Sequence, residues 1–542
     1  MSEFTTTQKR VLKQCARAIM HMRQRFARKK FSLVFGAGIG EGFGIPKWGE
    51  LLDRIAKDSA VKGTGLLRRN KDRSHGPKTQ VLFHSFAAKL QGQNKSISLP
   101  EIKHRWREIV GAHLYEKARK DIDCLVDTHE YIEPFVEIIQ KSPMTVSYNF
   151  DDYIEKILHK KAPSHSPVAH ARSFETVWDP HLQTKRDDCV VYHPNGFLPE
   201  EDMERHSGGL VFCEDEFADQ LIETMAGRYA ALLHHYSQNT CLFIGLSLED
   251  NTLKHLLRQS ATLNPGHYHY YVAYQRKGQS KAPKPERDAV YEANFDLYNL
   301  ITLFLKEEEL KALGQLIRMS DEEFLPNAVA ARIDISFCYY VIGAIGAGKS
   351  SAISYFRNLR THDEWPDFRL STLGERPQKL STREEKDVDD WINIQFRTKN
   401  RILHKQSHGL HIVDRAPLDP IAFKTSSKRA QRARSLMTHI CKTDDPARIH
   451  GGHVILLKGD ARVLEERARA AGKKHTAKDL QKMQEALMRI YGFRGGVSIV
   501  DTRRKSREEV VKKIARIIHT MEYKEADLHT RLSNVANGRY KC

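Results

Sequence analysis

The chain has 542 residues, 40% of them hydrophobic, with 87 Lys and Arg against 68 Asp and Glu for a formal charge of +19. That length exceeds one ordinary core and predicts two or three domains, the apolar fraction excludes a disordered tail protein, and no stretch approaches the ~20 apolar residues of a membrane span. The charge favours polyanionic partners, yet the basic residues are spread along the chain, which favours nucleotide phosphates over specific nucleic-acid binding.

Residues 5–30, TTTQKRVLKQCARAIMHMRQRFARKK, carry charges throughout and lack a continuous apolar segment. No secretory signal is expected; the amphipathic, Arg-rich pattern is shared by organelle transit peptides and reads as a basic helix (1–30) capping the first domain. A buried-type strand, FSLVF (Phe31–Phe35), follows and runs into Gly36, Ala37, Gly38, Ile39 and Gly40, then Gly42, Gly44 and Pro46. An amphipathic helix, WGELLDRIAKD, begins at Trp48. Strand, glycine turn and helix form the layout that brings backbone N–H groups to a pyrophosphate, although Glu41 breaks the G-x-G-x-x-G register.

Three later segments repeat a theme. Residues 144–155, MTVSYNFDDYIE, are expected to form a strand ending in Asn149, with Asp151 two residues on and a helix after it. Residues 190–199, VVYHPNGFLP, form a strand ending at His193 and a turn at Asn195-Gly196. Residues 241–250, CLFIGLSLED, form an apolar strand followed by Gly245, Ser247 and Asp250. Each places small or polar groups just past the carboxyl end of a strand, and in an open α/β sheet those ends converge on one crevice. Residues 275–288, QRKGQSKAPKPERD, read as a surface loop, and the stretch from 307 to 333 as helical. The main boundary is expected at 327–334, giving a first domain over 31–310, a helical linker over 311–335 and a second domain over 336–542. Short apolar runs alternating with amphipathic helices predict parallel α/β sheets in both.

The second domain opens with the strand FCYYVI and then GAIGAGKS, residues 343–350, a match to G-x-x-x-x-G-K-[ST]. Gly343 and Gly348 bracket the loop whose backbone wraps phosphates, Lys349 reaches the β/γ oxygens, and Ser350 holds Mg²⁺. A helix, SAISYFRNLR, is expected after it. Further on come Glu375-Arg376-Pro377 beyond an apparent second strand, a helix over 391–401, and the strand LHIVDRAPLD with Asp414 and Arg415 at its end. Strands at 454–458 and 497–502 flank a basic helix that contains Arg467 and Arg469.

Eight cysteines are scattered (Cys15, Cys124, Cys189, Cys213, Cys241, Cys338, Cys441, Cys542), none in a C-x-x-C pair. Neither a zinc site nor a disulfide framework is expected, and a reducing cytoplasm fits.

Taken in order, GAG with GIPKW, YNFDDYIE, YHPNG and FIGLSLED resemble the Sir2-like domains of bacterial defence NADases, over about residues 31–305. The resemblance implies a Rossmann-like sheet, NAD⁺ as substrate, binding by Gly36, Ala37, Gly38, Asp151, Gly245 and Ser247, and a role in antiviral defence. Sirtuin deacylases share these elements but add a four-cysteine zinc module, which this chain lacks; the expectation therefore shifts from deacylation to NAD⁺ hydrolysis. Two departures stand out. Gly40 replaces the usual serine, and Asn195 stands directly before Gly196, where many relatives have histidine. Cleaving the nicotinamide–ribose bond develops oxocarbenium-like charge on the sugar, and water then attacks. Asn149 can hold that water or a ribose hydroxyl with a neutral amide, and His193 is the local group with a pKa near neutrality, suited to general-base work. Asp151 either meets ribose hydroxyls or caps the next helix.

Residues 336–520 resemble deoxynucleoside and thymidylate kinases. That implies ATP or a related nucleotide with Mg²⁺ at the P-loop, Asp414 assisting the metal, Arg415 at substrate phosphate or sugar, and Glu375 as base for an acceptor hydroxyl. Arg467 and Arg469 then lie in a lid, or form only a solvated face. Two other readings stay open: a metabolic kinase whose Sir2-like domain only binds a ligand, and a basic nucleic-acid sensor with steep salt dependence. Family effectors often form homo-oligomers, although no heptad run marks one here.

Overall fold

The computed structural model describes residues 3–61, 75–118, 131–160, 174–179, 189–201, 209–275, 282–367, 381–406, 408–441 and 447–540. The main division of the chain falls between Ala331 and Arg332.

In the first unit seven strands form one sheet: β1 (Phe31–Phe35), β2 (Met144–Ser147), β3 (Glu175–Val177), β4 (Val190–Tyr192), β5 (Thr240–Ile244), β6 (His269–Tyr274) and β7 (Leu300–Leu305). Their order is β3-β4-β2-β1-β5-β6-β7 and every pairing is parallel. All residues of the central β1 and β5 are buried, as a sheet covered on both faces requires. Val34, Val146, Tyr192, Phe243, Leu253 and Leu256 belong to one buried cluster. From β1 the chain builds the sheet toward β2, whereas β5 opens the half that continues through β6 and β7. The switch of direction lies between β1 and β5, and the crevice at their carboxyl ends is the expected ligand position.

The second unit is a smaller parallel sheet of β8 (Ser336–Gly343), β9 (Arg360–His362), β10 (Gly409–Asp414), β11 (His453–Lys458) and β12 (Val497–Asp501). Its order is β12-β11-β8-β10-β9. The strand that feeds the phosphate loop is thus central, flanked on one side by the strand carrying Asp414. The chain is therefore two parallel α/β domains, a Rossmann-like one followed by a P-loop, kinase-like one.

Several local readings change. The segment after the P-loop is helical only over Lys349–Ile353, tightens into a 3₁₀ turn at Ser354–Phe356, and by Arg360 is already strand β9. Ser and aromatic residues are weak helix formers, and Phe356 and Leu359 bury instead. The single basic helix expected between β11 and β12 is two helices, Ala461–Ala470 and Ala477–Ile490, separated by Gly472 at φ 72° and restarted by the Thr476 cap. The distal part of the 275–288 stretch is not loop, because Pro283 and Pro285 open a helix over Lys284–Tyr298. Within the stretch expected as a linker, helix Glu307–Arg318 packs on helix Glu133–Lys141 with Leu310, Leu313, Leu316 and Ile317 buried. Those residues belong to the first unit's core. The basic start forms helix Thr6–Ala27 with a Thr5–Gln8 capping box.

Candidate functional site

In the first unit the β1 turn and the β5 turn meet backbone to backbone. The Gly36 N–H donates to the Ile244 carbonyl (3.0 Å) and the Gly38 N–H to the Gly245 carbonyl (2.9 Å). A Cβ on Gly38 would stand 2.9 Å from Gly245 Cα, and Gly245 itself has φ 73°. Glycine is thus required at both positions, which places two main chains side by side at the switch point. Gly36 is buried, while Ala37 and Gly38 in the 3₁₀ turn, and Ser247 in the β5 turn, are exposed.

Asn149, just past β2, is tied to that turn. Its Nδ2 donates to the Gly36 carbonyl (3.2 Å) and its backbone N–H to Ser147 Oγ (3.3 Å). Its Oδ1 is buried and finds no partner among the described residues. A buried amide oxygen with nothing to accept from is costly and marks a place for a ligand donor. Asp151 Oδ1 accepts from the Tyr153 N–H (3.2 Å), so it caps helix Tyr153–Lys160. Burial, reinforced by Asp152 and Glu155, pushes its carboxyl up to about 6, against the opposing pull of His193.

His193 sits at the end of β4 with no exposed surface. Its Nδ1 lies 2.8 Å from the Asn149 carbonyl oxygen and its Nε2 2.9 Å from Glu155 Oε1. The ring therefore meets the backbone of Asn149, not its amide, and neither nitrogen is left open. That is not the geometry expected of a general base. Asn195, directly before Gly196, is equally saturated: its Nδ2 donates to Asp250 Oδ2 (3.2 Å) and its Oδ1 accepts from Gln220 Nε2 (3.1 Å). Gln220 also donates to the Pro194 carbonyl and accepts from Thr252 Oγ1. Glu155 closes the YNFDDYIE segment but was given no role there, and Gln220 carries no motif; both read as ordinary helix residues in the sequence.

In the second unit Gly343 and Gly348 have φ 156° and 87°, conformations that turn successive N–H groups inward around an anion. Lys349 is buried and its Nζ donates to the carbonyls of Gly343 (3.1 Å) and Ala344 (3.3 Å). Burial, and Arg415 nearby, bring its pKa down to about 8. Ser350 Oγ donates to Asp414 Oδ2 (2.7 Å), while Asp414 Oδ1 is buried with no partner among the described residues. A hydroxyl and a carboxylate in contact beside a phosphate loop are a chemically fitting donor set for a Mg²⁺-bound nucleotide.

Three groups join this cluster without having been read from the sequence. Glu364 Oε1 accepts from Arg415 Nε (2.5 Å); burial raises its carboxyl, but Arg415 prevails and holds it below its usual range. Asp419 accepts from Tyr491 OH (2.7 Å) and is pushed up to about 6 by burial. Lys399, buried on helix Thr382–Lys405, donates to the Asp414 carbonyl (2.7 Å), and burial brings its pKa to about 8. Burial disfavours the Arg415 cation, yet Glu364 and Asp419 hold it charged. Glu375, the residue expected as the acceptor base, lies outside the described residues. Glu364 lies two residues beyond β9, a strand end that reading residues 354–360 as helix conceals. Arg467 and Arg469 are exposed on helix Ala461–Ala470, and Arg469 pairs with Glu465.

No helix among the described residues is long and apolar enough to cross a membrane. The family model for a SIR2-like domain matches residues 143–298; this span includes Asn149, His193, Asn195 and the β5 turn, and leaves out the β1 turn. A comparison with curated proteins finds no match. Among solved structures, the chain is similar to a deoxyadenosine kinase from M. mycoides determined with dCMP product and a flexible dCDP. Identity is 14%, the alignment covers 34% of this chain and all of that one, and the TM-score is 0.27. So weak a likeness adds nothing to the kinase-like reading, which rests on the strand order and the phosphate loop. The SIR2-like domain matched over residues 143–298 is compatible with an NAD-related activity.

Proposed function

We propose that the first domain is an NAD⁺ glycohydrolase, releasing nicotinamide and leaving ADP-ribose, and that the second is a nucleoside triphosphate-binding domain that gates it. The observation that carries the reading is the Asn149 amide: tethered through Nδ2 to the glycine turn, with Oδ1 buried and unpartnered at the sheet's switch point. The Gly36–Gly38–Gly245 backbone packs the two turns directly against each other at the carboxyl end of the sheet, the edge where a nucleotide is expected. When NAD⁺ is bound, its own labile glycosidic bond supplies the chemistry; the chain's part is to orient the ribose and a water through a neutral amide. The sequence resemblance puts this activity in antiviral defence, where NAD⁺ loss stops an infected cell. In the second domain Lys349, Ser350 and Asp414 hold the nucleotide and its Mg²⁺, and Glu364 with Arg415 faces an acceptor hydroxyl.

Incubating the purified chain with NAD⁺ and measuring free nicotinamide tests the first half: release that Asn149→Ala abolishes supports it, and no release under any condition rejects it. Repeating the assay with ATP and deoxynucleotides tests the gate. Cleavage indifferent to every nucleotide, in the parent chain and in Lys349→Ala alike, removes it. A second reading, a kinase with a ligand-binding Sir2-like domain, is favoured by the saturation of both His193 and Asn195. Phosphorylation of a nucleoside or nucleotide by an Asn149→Ala/His193→Ala chain, with no nicotinamide released by the parent, selects that one.

A further inference from the structure

We infer that His193 and Glu155 form a buried clamp that positions Asn149, and that His193 takes no proton during the reaction. The inference rests on the NAD⁺ site proposed above and concerns how that site is held. A carbonyl oxygen has no hydrogen to give, so the 2.8 Å contact with the Asn149 carbonyl fixes a proton on His193 Nδ1. The other nitrogen, 2.9 Å from Glu155 Oε1, either donates to a carboxylate or accepts from a carboxylic acid. In both cases the lone pair that a general base needs is occupied, and the ring has no exposed surface through which to reach water.

The clamp is anchored at each end. Glu155 lies on helix Tyr153–Lys160, is itself buried, and its Oε1 also accepts from Thr176 Oγ1 of β3 (3.3 Å). His193 follows β4, which lies between β2 and β3 in the sheet. The Phe197 ring, 4.7 Å away between centroids, packs against the imidazole. The charged groups facing His193 are Glu155 and, less directly, Asp151. Burial disfavours the imidazolium, but Glu155, the Asn149 carbonyl and Asp151 together raise its pKa above the ordinary 6.5. With the carbonyl, the backbone N–H and Nδ2 of Asn149 all held, Oδ1 is the one polar atom of that residue left for a ligand. At the position where the resemblance expects histidine, Asn195 has no lone pair of useful basicity. The neutral amide then orients, and the glycosidic bond breaks without base assistance.

Glu155→Gln separates the roles. The side-chain amide that this substitution introduces can donate to a neutral Nε2 while Nδ1–H keeps the carbonyl, so the clamp survives without its charge; Glu155→Ala removes it. The expected result is nicotinamide release within about threefold of the parent for Glu155→Gln. For Glu155→Ala a kcat loss of about 30-fold or more is expected with little change in KM for NAD⁺, the signature of a misplaced amide. The parent's kcat/KM should show no acid limb near neutrality. A loss of about 100-fold in Glu155→Gln with an acid limb in the parent is what loss of a histidine base produces, and overturns the inference. A readout independent of cleavage guards against failure of the NAD⁺ reading itself: ¹⁵N NMR of histidine-labelled, full-length chain. At pH 6, His193 nitrogens that are both protonated, or an Nε2 held in a hydrogen bond to a Glu155 carboxylic acid, support the clamp in a parent that cleaves or does not; an Nε2 hydrogen-bonded to solvent instead of Glu155 refutes it.

Discussion

The two ligand sites solve opposite electrostatic problems. Around the P-loop three buried cations (Lys349, Lys399, Arg415) interleave with three acids (Asp414, Glu364, Asp419), and several of these groups are shifted far from their ordinary pKa. Around the glycine crevice the chain offers main-chain groups, a neutral amide and a His193–Glu155 hydrogen bond closed on itself. Phosphoryl transfer moves highly charged oxygens and needs mobile counter-charge close by. Cleavage of a glycosidic bond to a cationic base loses charge from the leaving group and builds it on a sugar, so a preorganised neutral cradle suffices. The contrast teaches that the two domains answer different perturbations, and each can be broken separately.

The largest effect is expected from Lys349→Ala. Removing the cation that holds the β/γ oxygens should weaken triphosphate binding or turnover by about 10³-fold, read by calorimetry with MgATP, and should make NAD⁺ cleavage insensitive to added nucleotide. Binding that survives within a few-fold denies the P-loop its assigned role. Next comes Asn149→Ala, with nicotinamide release down about 100-fold and MgATP binding unaltered. Were both activities to fall together, the two sites would not be separable as described. Smaller is Gly38→Ala: the new Cβ meets Gly245 backbone at 2.9 Å, and overpacking of this kind costs about 1–3 kcal/mol. Thermal unfolding should shift down, and NAD⁺ affinity should drop; an unshifted transition means that the two turns can part at no cost.

How much of this was legible beforehand differs between the two regions in the same way. The strands that stop just before Asn149, His193 and Gly245 were readable from apolar runs closed by small or polar residues, because strand ends in a parallel sheet share one edge. The phosphate loop was readable because its glycine spacing is a backbone requirement. Partners were not readable. The saturation of His193 depends on Asn149 and Glu155, 44 and 38 residues away in the chain, and a residue type alone announces a pKa, not whether its nitrogens are engaged. Glu364 was missed because the short helix after the P-loop ends at Ile353, where propensity suggested a longer one; burial of Phe356 and Leu359 overrides it. The break at Gly472 was available from sequence, since a glycine followed by two lysines and a Thr cap is a helix stop and restart.

The finest distinction between the sites is their response to pH, and its sign follows from which form each group must keep. Lys349, brought down to about 8 by burial and Arg415, must be charged to hold phosphate. Triphosphate affinity should therefore be flat below about 8 and fall above it, by about tenfold per pH unit for the one linked proton. Lys399, also at about 8, steepens the fall if its charge matters to the nucleotide. Calorimetry at pH 8 in buffers of different ionisation enthalpy should show proton uptake on binding. His193 runs the other way from a base. Its pKa is raised in the folded chain, so the stability contributed by the Glu155 pair is fully present below the ordinary 6.5 and lost as pH rises through the folded value. Between pH 5.5 and 6.5, below the ordinary value, the clamp is intact, and NAD⁺ cleavage should hold steady where a histidine base would lose rate with each step toward acid. A parent enzyme whose nicotinamide release declines about tenfold across that unit, while its MgATP affinity stays level, would show that the crevice too depends on a titrating group, and the electrostatic contrast between the domains would fall.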